Sequence, residues 1–364
     1  MDPEQKHLET FRNELEYFFY KAADINLAKL RHVGFWLRTM NNQDQAAEMR
    51  QRRLERGLPA PPVLIFSITG RCNLKCRGCY AAAWKHNNGR EISASRFESL
   101  VREASAMGTR IVLLAGGEPL LRKEILEVAG RARKVIFPVF TNGTLMNADY
   151  IRFFKKHRNL VPVLSIEGNR SRTDDRRGRG LYDTVIWAAE VLRRNKMFFG
   201  LSHTLTRDNF DELMDSTYLG YYHQRGCRLF FFVDYVPTNS RDMDLCIRED
   251  QKRRIPVQME KLRKELPALF VCLPGEEERF GGCLAAGRGF VHINPSGDLE
   301  ACPFAPYSDV NILDMSLEDA LNSLLLRKIR DGHHLLKESA GGCTLRENRE
   351  WVESLMGNSG SLRA

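Results

Sequence analysis

Apolar positions in the first 58 residues recur at helical steps. Leu8, Phe11, Leu15, Phe18, Phe19 and Ala22 lie three and four residues apart and form one stripe. A second run holds Leu27, Leu30, Val33, Phe35, Trp36 and Leu37, and Lys21, Lys29, Arg31 and Arg38 lie among the two. Residues 45–56 are charged, and Gly57, Pro61 and Pro62 then mark a linker. The pattern predicts a helical hairpin packed on the domain that follows. Left uncovered, the same stripe suits a membrane interface or an oily partner.

From residue 63 short apolar runs alternate with amphipathic stretches. Strands are predicted over 63–69, 110–115, 135–140, 161–166, 198–205 and 229–236, with helices over 93–107, 121–133, 147–157, 181–194 and 209–224. Six such units imply a parallel sheet with helices outside. Six is short of the eight of a closed barrel. The predicted class is therefore α/β, a partial (β/α)6 TIM-like barrel over 59–247, with chemistry at the C-terminal strand ends. A helical extension over 1–58 precedes it. A hairpin-plus-helix domain over 248–364 follows: a helix over 248–269 interrupted at Pro256, a hairpin of 290–294 and 299–302, and a helix over 316–330 capped by Ser316.

Composition narrows this little. Apolar residues are 43% of the chain, enough for a globular core, and no apolar run nears the ~20 residues of a membrane span. The polar N-terminus does not read as a secretory signal, so a cytoplasmic location is expected, with membrane association through 1–58 left open. The net charge of +9 permits an anionic partner, but no nucleic-acid motif is present and RNA or DNA binding is not expected.

The cysteines change the picture. There are nine, an odd number, and they cluster. In a reducing compartment clustered thiols read as metal ligands before disulfides. Cys72-x3-Cys76-x2-Cys79 follows the first strand. Three thiolates this close can hold one face of a cubane cluster and leave one iron open. Zinc sites favour paired CxxC knuckles and four ligands, which this segment lacks.

SITGRCNLKCRGCY (67–80), GGEPLL (116–121), TNGT (141–144) and SIEG (165–168) together resemble the radical S-adenosylmethionine (SAM) superfamily, over roughly residues 60–240. The resemblance implies a [4Fe–4S] cluster on Cys72, Cys76 and Cys79. There SAM is cleaved reductively to a 5′-deoxyadenosyl radical that abstracts hydrogen from a substrate. It implies that Gly116, Gly117, Glu118 and Pro119 bind the SAM amino group. Ser165, Glu167 and Ser202 match ribose- or methionine-contacting positions, joined by Thr141 and Asn142, and Arg177 meets the carboxylate. Gly78 stands where the family commonly has an aromatic residue, so adenine stacking falls to Tyr80 or to apolar groups near Val236.

Cys283, Cys302 and Cys343 flank a glycine-rich hairpin that resembles SPASM or twitch extensions. That resemblance implies one auxiliary [4Fe–4S] cluster. Its fourth ligand stays open between Cys272 and a free iron position, while Cys227 and Cys246 read as ordinary thiols. Implied partners are a reductant such as ferredoxin or flavodoxin, and a peptide, small-molecule or lipid substrate. No catalytic side chain is assigned. The alternative is a non-catalytic iron–sulfur electron carrier or structural metalloprotein, against which GGEP and the polar strand ends argue. The arginine-rich segment 169–180 reads either as a solvated loop or as an anion clamp. His203 faces either the site or the helices, and His333 and His334 are expected in solvent.

Overall fold

The computed structural model describes residues 3–27, 33–83, 91–336 and 343–356; Lys29, Leu30 and Arg31 of the N-terminal pattern lie outside them. In chain order the regular elements are α1 (Pro3–Leu27), α2 (Val33–Leu54), β1 (Val63–Ser67), α3 (Tyr80–Ala83), α4 (Ala94–Ala106), β2 (Ile111–Ala115), α5 (Lys123–Arg131), β3 (Phe137–Thr141), α6 (Ala148–Lys156), β4 (Leu160–Ser165), α7 (Arg170–Arg177), α8 (Leu181–Arg194), β5 (Gly200–Leu205), α9 (Phe210–Leu213), α10 (Ser216–Gln224) and β6 (Leu229–Asp234). There follow α11 (Glu249–Glu265), β7 (Leu269–Leu273), β8 (Phe290–Ile293), β9 (Leu299–Glu300), α12 (Leu317–Leu321), α13 (Leu324–Asp331), α14 (Thr344–Glu347) and α15 (Arg349–Met356).

One sheet runs β7-β6-β5-β4-β3-β2-β1-β8-β9 and forms the wall of a partial barrel. Every pairing from β7 to β8 is parallel, and only β9 runs antiparallel to its neighbour. The six predicted strands form its middle. Two more extend it: β7 pairs with β6 at one edge, and β8 pairs with β1 at the other. The C-terminal hairpin therefore continues the barrel wall. The β7 segment Leu-Phe-Val-Cys-Leu is an unbroken apolar run, which periodicity cannot separate from the end of a buried helix. Segment 169–180 holds the helix α7, capped by the Asn169 side chain, in place of a loop. The predicted helix over 209–224 breaks at Asp215 and that over 316–330 at Ser323; each of these side chains caps the second piece.

A buried polar chain locks the hairpin to β1. Ser67 Oγ bonds His292 Nε2 at 2.8 Å, His292 Nδ1 bonds Glu300 Oε2 at 2.6 Å, and Asn294 Nδ2 donates to Glu300 Oε1 at 2.8 Å. Asn294 Oδ1 also accepts from the amides of Ser296 and Asp298 and so shapes the turn.

The N-terminal stripe is covered. Phe19, Ala22 and Ala23 of α1 and Trp36 of α2 are buried, and all but Phe19 pack with Val161, Val163, Leu229, Phe231 and Leu269 inside the barrel. Each large apolar side chain buried this way contributes about 1.5–3 kcal/mol. Tyr20 Oη donates to Asp44 and ties the two helices, and buried Arg50 donates to Gly108 O at 2.7 Å and ties α2 to the barrel. The hairpin packs on the next domain, and its stripe is no free membrane face. No described helix is long and apolar enough to cross a membrane.

Asp234, at the end of β6, is fully buried, and its Oδ1 has no hydrogen-bond partner. Burial pushes its carboxyl up to about 7, with Lys252 opposing weakly. A raised acid costs nothing below its unfolded value near 3.9, costs progressively more up to about 7, and costs its full amount above that. Asp234→Asn is therefore expected to raise stability by about 2–4 kcal/mol at pH 8 and by almost nothing at pH 4. Urea melts at the two pH values check this.

Candidate functional site: two thiol sets on one chamber

The loop after β1 carries the first three cysteines and is strapped to the end of β2. Gly117 N donates to Thr69 O at 2.7 Å, and Glu118 N donates to Arg71 O at 2.9 Å. A Cβ on Gly117 would lie 1.9 Å from Arg71 O, so only glycine permits this contact. Gly116 adds a φ of +122°. The close approach that the glycines allow is thus to the cysteine loop itself. Gly117→Ala is expected to lower iron retention at this loop about 10–100-fold, read as iron per folded chain.

Glu118 is buried and accepts from Thr141 Oγ1 at 2.8 Å, Asn142 N at 2.9 Å and Leu120 N at 3.0 Å. Asn142 Nδ2 in turn donates to Asn73 Oδ1 in the cysteine loop. Burial raises the Glu118 carboxyl despite these bonds. GGEP and TNG therefore form one frame that sets where the thiols sit.

A second frame comes from α7. Arg77 N donates to Arg176 O at 2.8 Å. Glu167 is 2% exposed at its side chain, and its Oε1 is 2.5 Å from Arg176 Nη1 and 2.5 Å from Arg177 Nη2. Burial alone would raise this carboxyl, but Arg176 and then Arg177 outweigh it and hold it at about 2. Arg177 also lies near Cys76 and Cys79. Two arginines of the basic segment thus turn inward, while Arg170 pairs with Asp183 and Arg172 with Glu212 at the surface.

Both thiol sets open onto one chamber of about 250 Å3 at the C-terminal strand ends. Cys72, Cys76 and Cys79 line one side, and Cys283, Cys302 and Cys343 line another. Every cysteine is free of disulfides. Burial raises Cys72 and Cys76; Arg177 opposes this at Cys76. Burial also raises Cys283 and Cys302, while a hydrogen bond from Cys302 lowers Cys343. Tyr80 sits between the sets: its ring meets Phe304 edge-on at 5.0 Å, and Cys79 and Cys302 both bear on its hydroxyl.

Of the positions singled out in the sequence, Tyr80, Gly116, Gly117, Glu118, Asn142, Ser165, Arg177, Ser202 and Val236 line the chamber. Pro119, Thr141 and Glu167 stand behind the wall. Arg176, Thr204 and Phe304 also line it. Thr204 was readable from its alternation with Ser202; Arg176 and Phe304 carried no separate signal. Cys272 lies away from the second trio, among Asp234, Glu276 and Arg263, and Cys227 is a core thiol pushed up to about 12 by burial. Cys246 is buried as well. His203 faces the helices, stacked on Phe232 at 5.3 Å and lowered to about 4 by burial. His333 departs from the expectation of a solvent position. It is half-buried, its Nε2 lies 3.1 Å from Cys283 O, and burial lowers it to about 4.

The donor set suits iron–sulfur chemistry. Cys72, Cys76 and Cys79 are three disulfide-free thiols on one loop at an open chamber, as a cubane cluster with one open iron requires. Residues 66–217 match the model of the radical SAM superfamily. This chain carries a radical SAM domain. The match implies SAM and a [4Fe–4S] cluster as its cofactors.

The chain is 25% identical over 313 residues to an AdoMet-dependent heme synthase of Methanosarcina barkeri, covering 78% of this chain and 88% of that one. It is 28% identical over 312 residues to the mycofactocin maturase MftC of Mycolicibacterium smegmatis, covering 80% of this chain and 76% of that one. The fold is similar to that of Streptococcus suis SuiB bound to S-adenosylmethionine, with a TM-score of 0.61 at 18% identity, covering 77% and 68% of the two chains.

Proposed function

We propose that the enzyme abstracts a hydrogen atom from a carbon–hydrogen bond of a substrate seated between two iron–sulfur clusters. The observation that carries this reading is the convergence of six cysteines on one chamber. Cys72, Cys76 and Cys79 hold the first cluster, and Cys283, Cys302 and Cys343 hold the auxiliary one. When bound, the first cluster supplies the electron that splits SAM into methionine and a 5′-deoxyadenosyl radical. The chain's own part is placement and exclusion of water. Gly116 to Pro119 present backbone to the SAM amino group. Arg177 faces its carboxylate, Ser165 and Ser202 its polar middle, and Tyr80 or Val236 its adenine. Glu167 holds Arg176 and Arg177 in position. A one-electron reductant such as ferredoxin or flavodoxin feeds the first cluster. The chain divides into a helical extension over 1–58, a radical SAM part over 59–247 and a C-terminal part over 248–364 that adds β7 and β8 to the barrel wall.

A peptide is the substrate class we favour, because the mycofactocin maturase is similar over four-fifths of this chain. A tetrapyrrole is the second reading, favoured by the heme synthase, of which this chain spans 88%. The test is anaerobic turnover of the reconstituted enzyme with SAM and dithionite. Separate arms add peptides encoded beside the gene, or coproporphyrin-type tetrapyrroles. The peptide reading expects 5′-deoxyadenosine release to rise with a peptide that loses hydrogen. A rise only with tetrapyrrole replaces it with the second reading. No 5′-deoxyadenosine in any arm from a chain loaded with iron contradicts the function.

A further inference from the structure

The barrel has a second chamber that the thiol chemistry does not use. It lies at the N-terminal strand ends, under α1 and α2, and measures about 280 Å3. Phe18, Phe19 and Trp36 line it from the helices, and Val161, Leu229 and Leu269 from the strands. Away from its charged rim the lining is apolar, and an apolar space of this kind takes apolar guests. Its size approaches that of small-molecule sites.

Most of the charge on the wall lies at one side. Lys155 and Arg158 before β4, Lys196 before β5 and Arg228 at the start of β6 all line the chamber. These strands are neighbours, so the four cations form an arc on one rim. Lys155 Nζ donates to Asn195 Oδ1, which draws the α6 and α8 ends together there. The acids on the lining are Glu14 and Glu276. Glu14 is held by Arg279, and Glu276 by Arg263 and Arg279. The lining therefore carries net positive charge, gathered at one rim beside an apolar space.

We propose that this lower chamber binds an anionic single-chain amphiphile, its hydrocarbon chain among the α1, α2 and strand side chains and its head on the arc of Lys155, Arg158, Lys196 and Arg228. Apolar burial provides the affinity and the cations fix the head. The site is independent of the substrate assigned above. It also explains why an aromatic-rich helical pair closes the barrel with a cavity instead of filling it.

The test uses the full-length protein and cis-parinaric acid, an anionic polyene chain that fluoresces when sheltered from water. Saturable emission at one probe per chain is expected. Val161→Trp fills the chamber and is expected to weaken binding at least about tenfold. Should that chain not fold, as judged by its thermal melt, Ala22→Phe fills the space from the helix side. Arg158→Glu with Lys196→Glu is expected to weaken the anion about tenfold and to leave displacement of the probe's chain by decanol unchanged. Absence of saturable emission, or unchanged affinity in a folded filling variant, overturns the site. Unchanged affinity in the charge variant overturns the anionic head. Filling variants are expected to retain 5′-deoxyadenosine formation, since Val161 and Ala22 lie outside the thiol chamber.

Discussion

Cys76→Ala yields 5′-deoxyadenosine only at background. Cys76 is the central thiol of the first set and stands beside Arg177 on the chamber wall. Losing a hydrogen bond to a ligand already costs about 10–100-fold in metal affinity, so losing the ligand costs more. The expected fall in product is at least about 100-fold, measured by chromatography after anaerobic reconstitution. The side chain is partly exposed and no packing depends on it, so the melting temperature of the iron-free chain should hold. Retained product in this variant would show that another set of thiols performs the cleavage.

Glu167→Gln destabilises the enzyme by about 3–5 kcal/mol, because it leaves Arg176 and Arg177 buried beside a neutral group. The pH dependence identifies the cause. Glu167 titrates near 4.3 in the unfolded chain and is held at about 2 when folded. A depressed acid gives its stability in full above the unfolded value and loses it as pH falls toward the folded one. About 3 kcal/mol of wild-type stability should therefore vanish between pH 4.5 and about pH 2, and that slope should be missing in Glu167→Gln. Denaturant melts across this range check it. The variant should also lose affinity for SAM, because α7 anchors the cysteine loop through Arg77 and Arg176. Equal slopes in the two proteins would remove Glu167 as the acid responsible.

The barrel was legible because its strands are short apolar runs closed by glycine or polar residues, and its helices carry their own stripes. β7 was not, since five apolar residues after a long helix carry no period of their own. α7 was hidden by its composition: five arginines between Asn169 and Gly180 read equally as a solvated loop or an anion clamp until the fold brings Glu167 against two of them. The cysteine spacings could be read locally. Their meeting on one chamber could not, because Cys302 follows β9, and β9 reaches the barrel only through the pairing of β8 with β1. The N-terminal stripe could be read as apolar, but the surface that covers it is formed by strands more than a hundred residues away.

The same long-range closure gives the central claim its physical content. Ser67, His292 and Glu300 fix the hairpin against β1, and Tyr80 and Phe304 line the chamber between the two thiol sets. One substrate can then face both centres.

Counting iron tests this most directly. About eight irons per reconstituted chain are expected, falling to about four in Cys76→Ala and to about four in Cys302→Ala. About four irons in the unaltered chain, with none lost on Cys302→Ala, would contradict it.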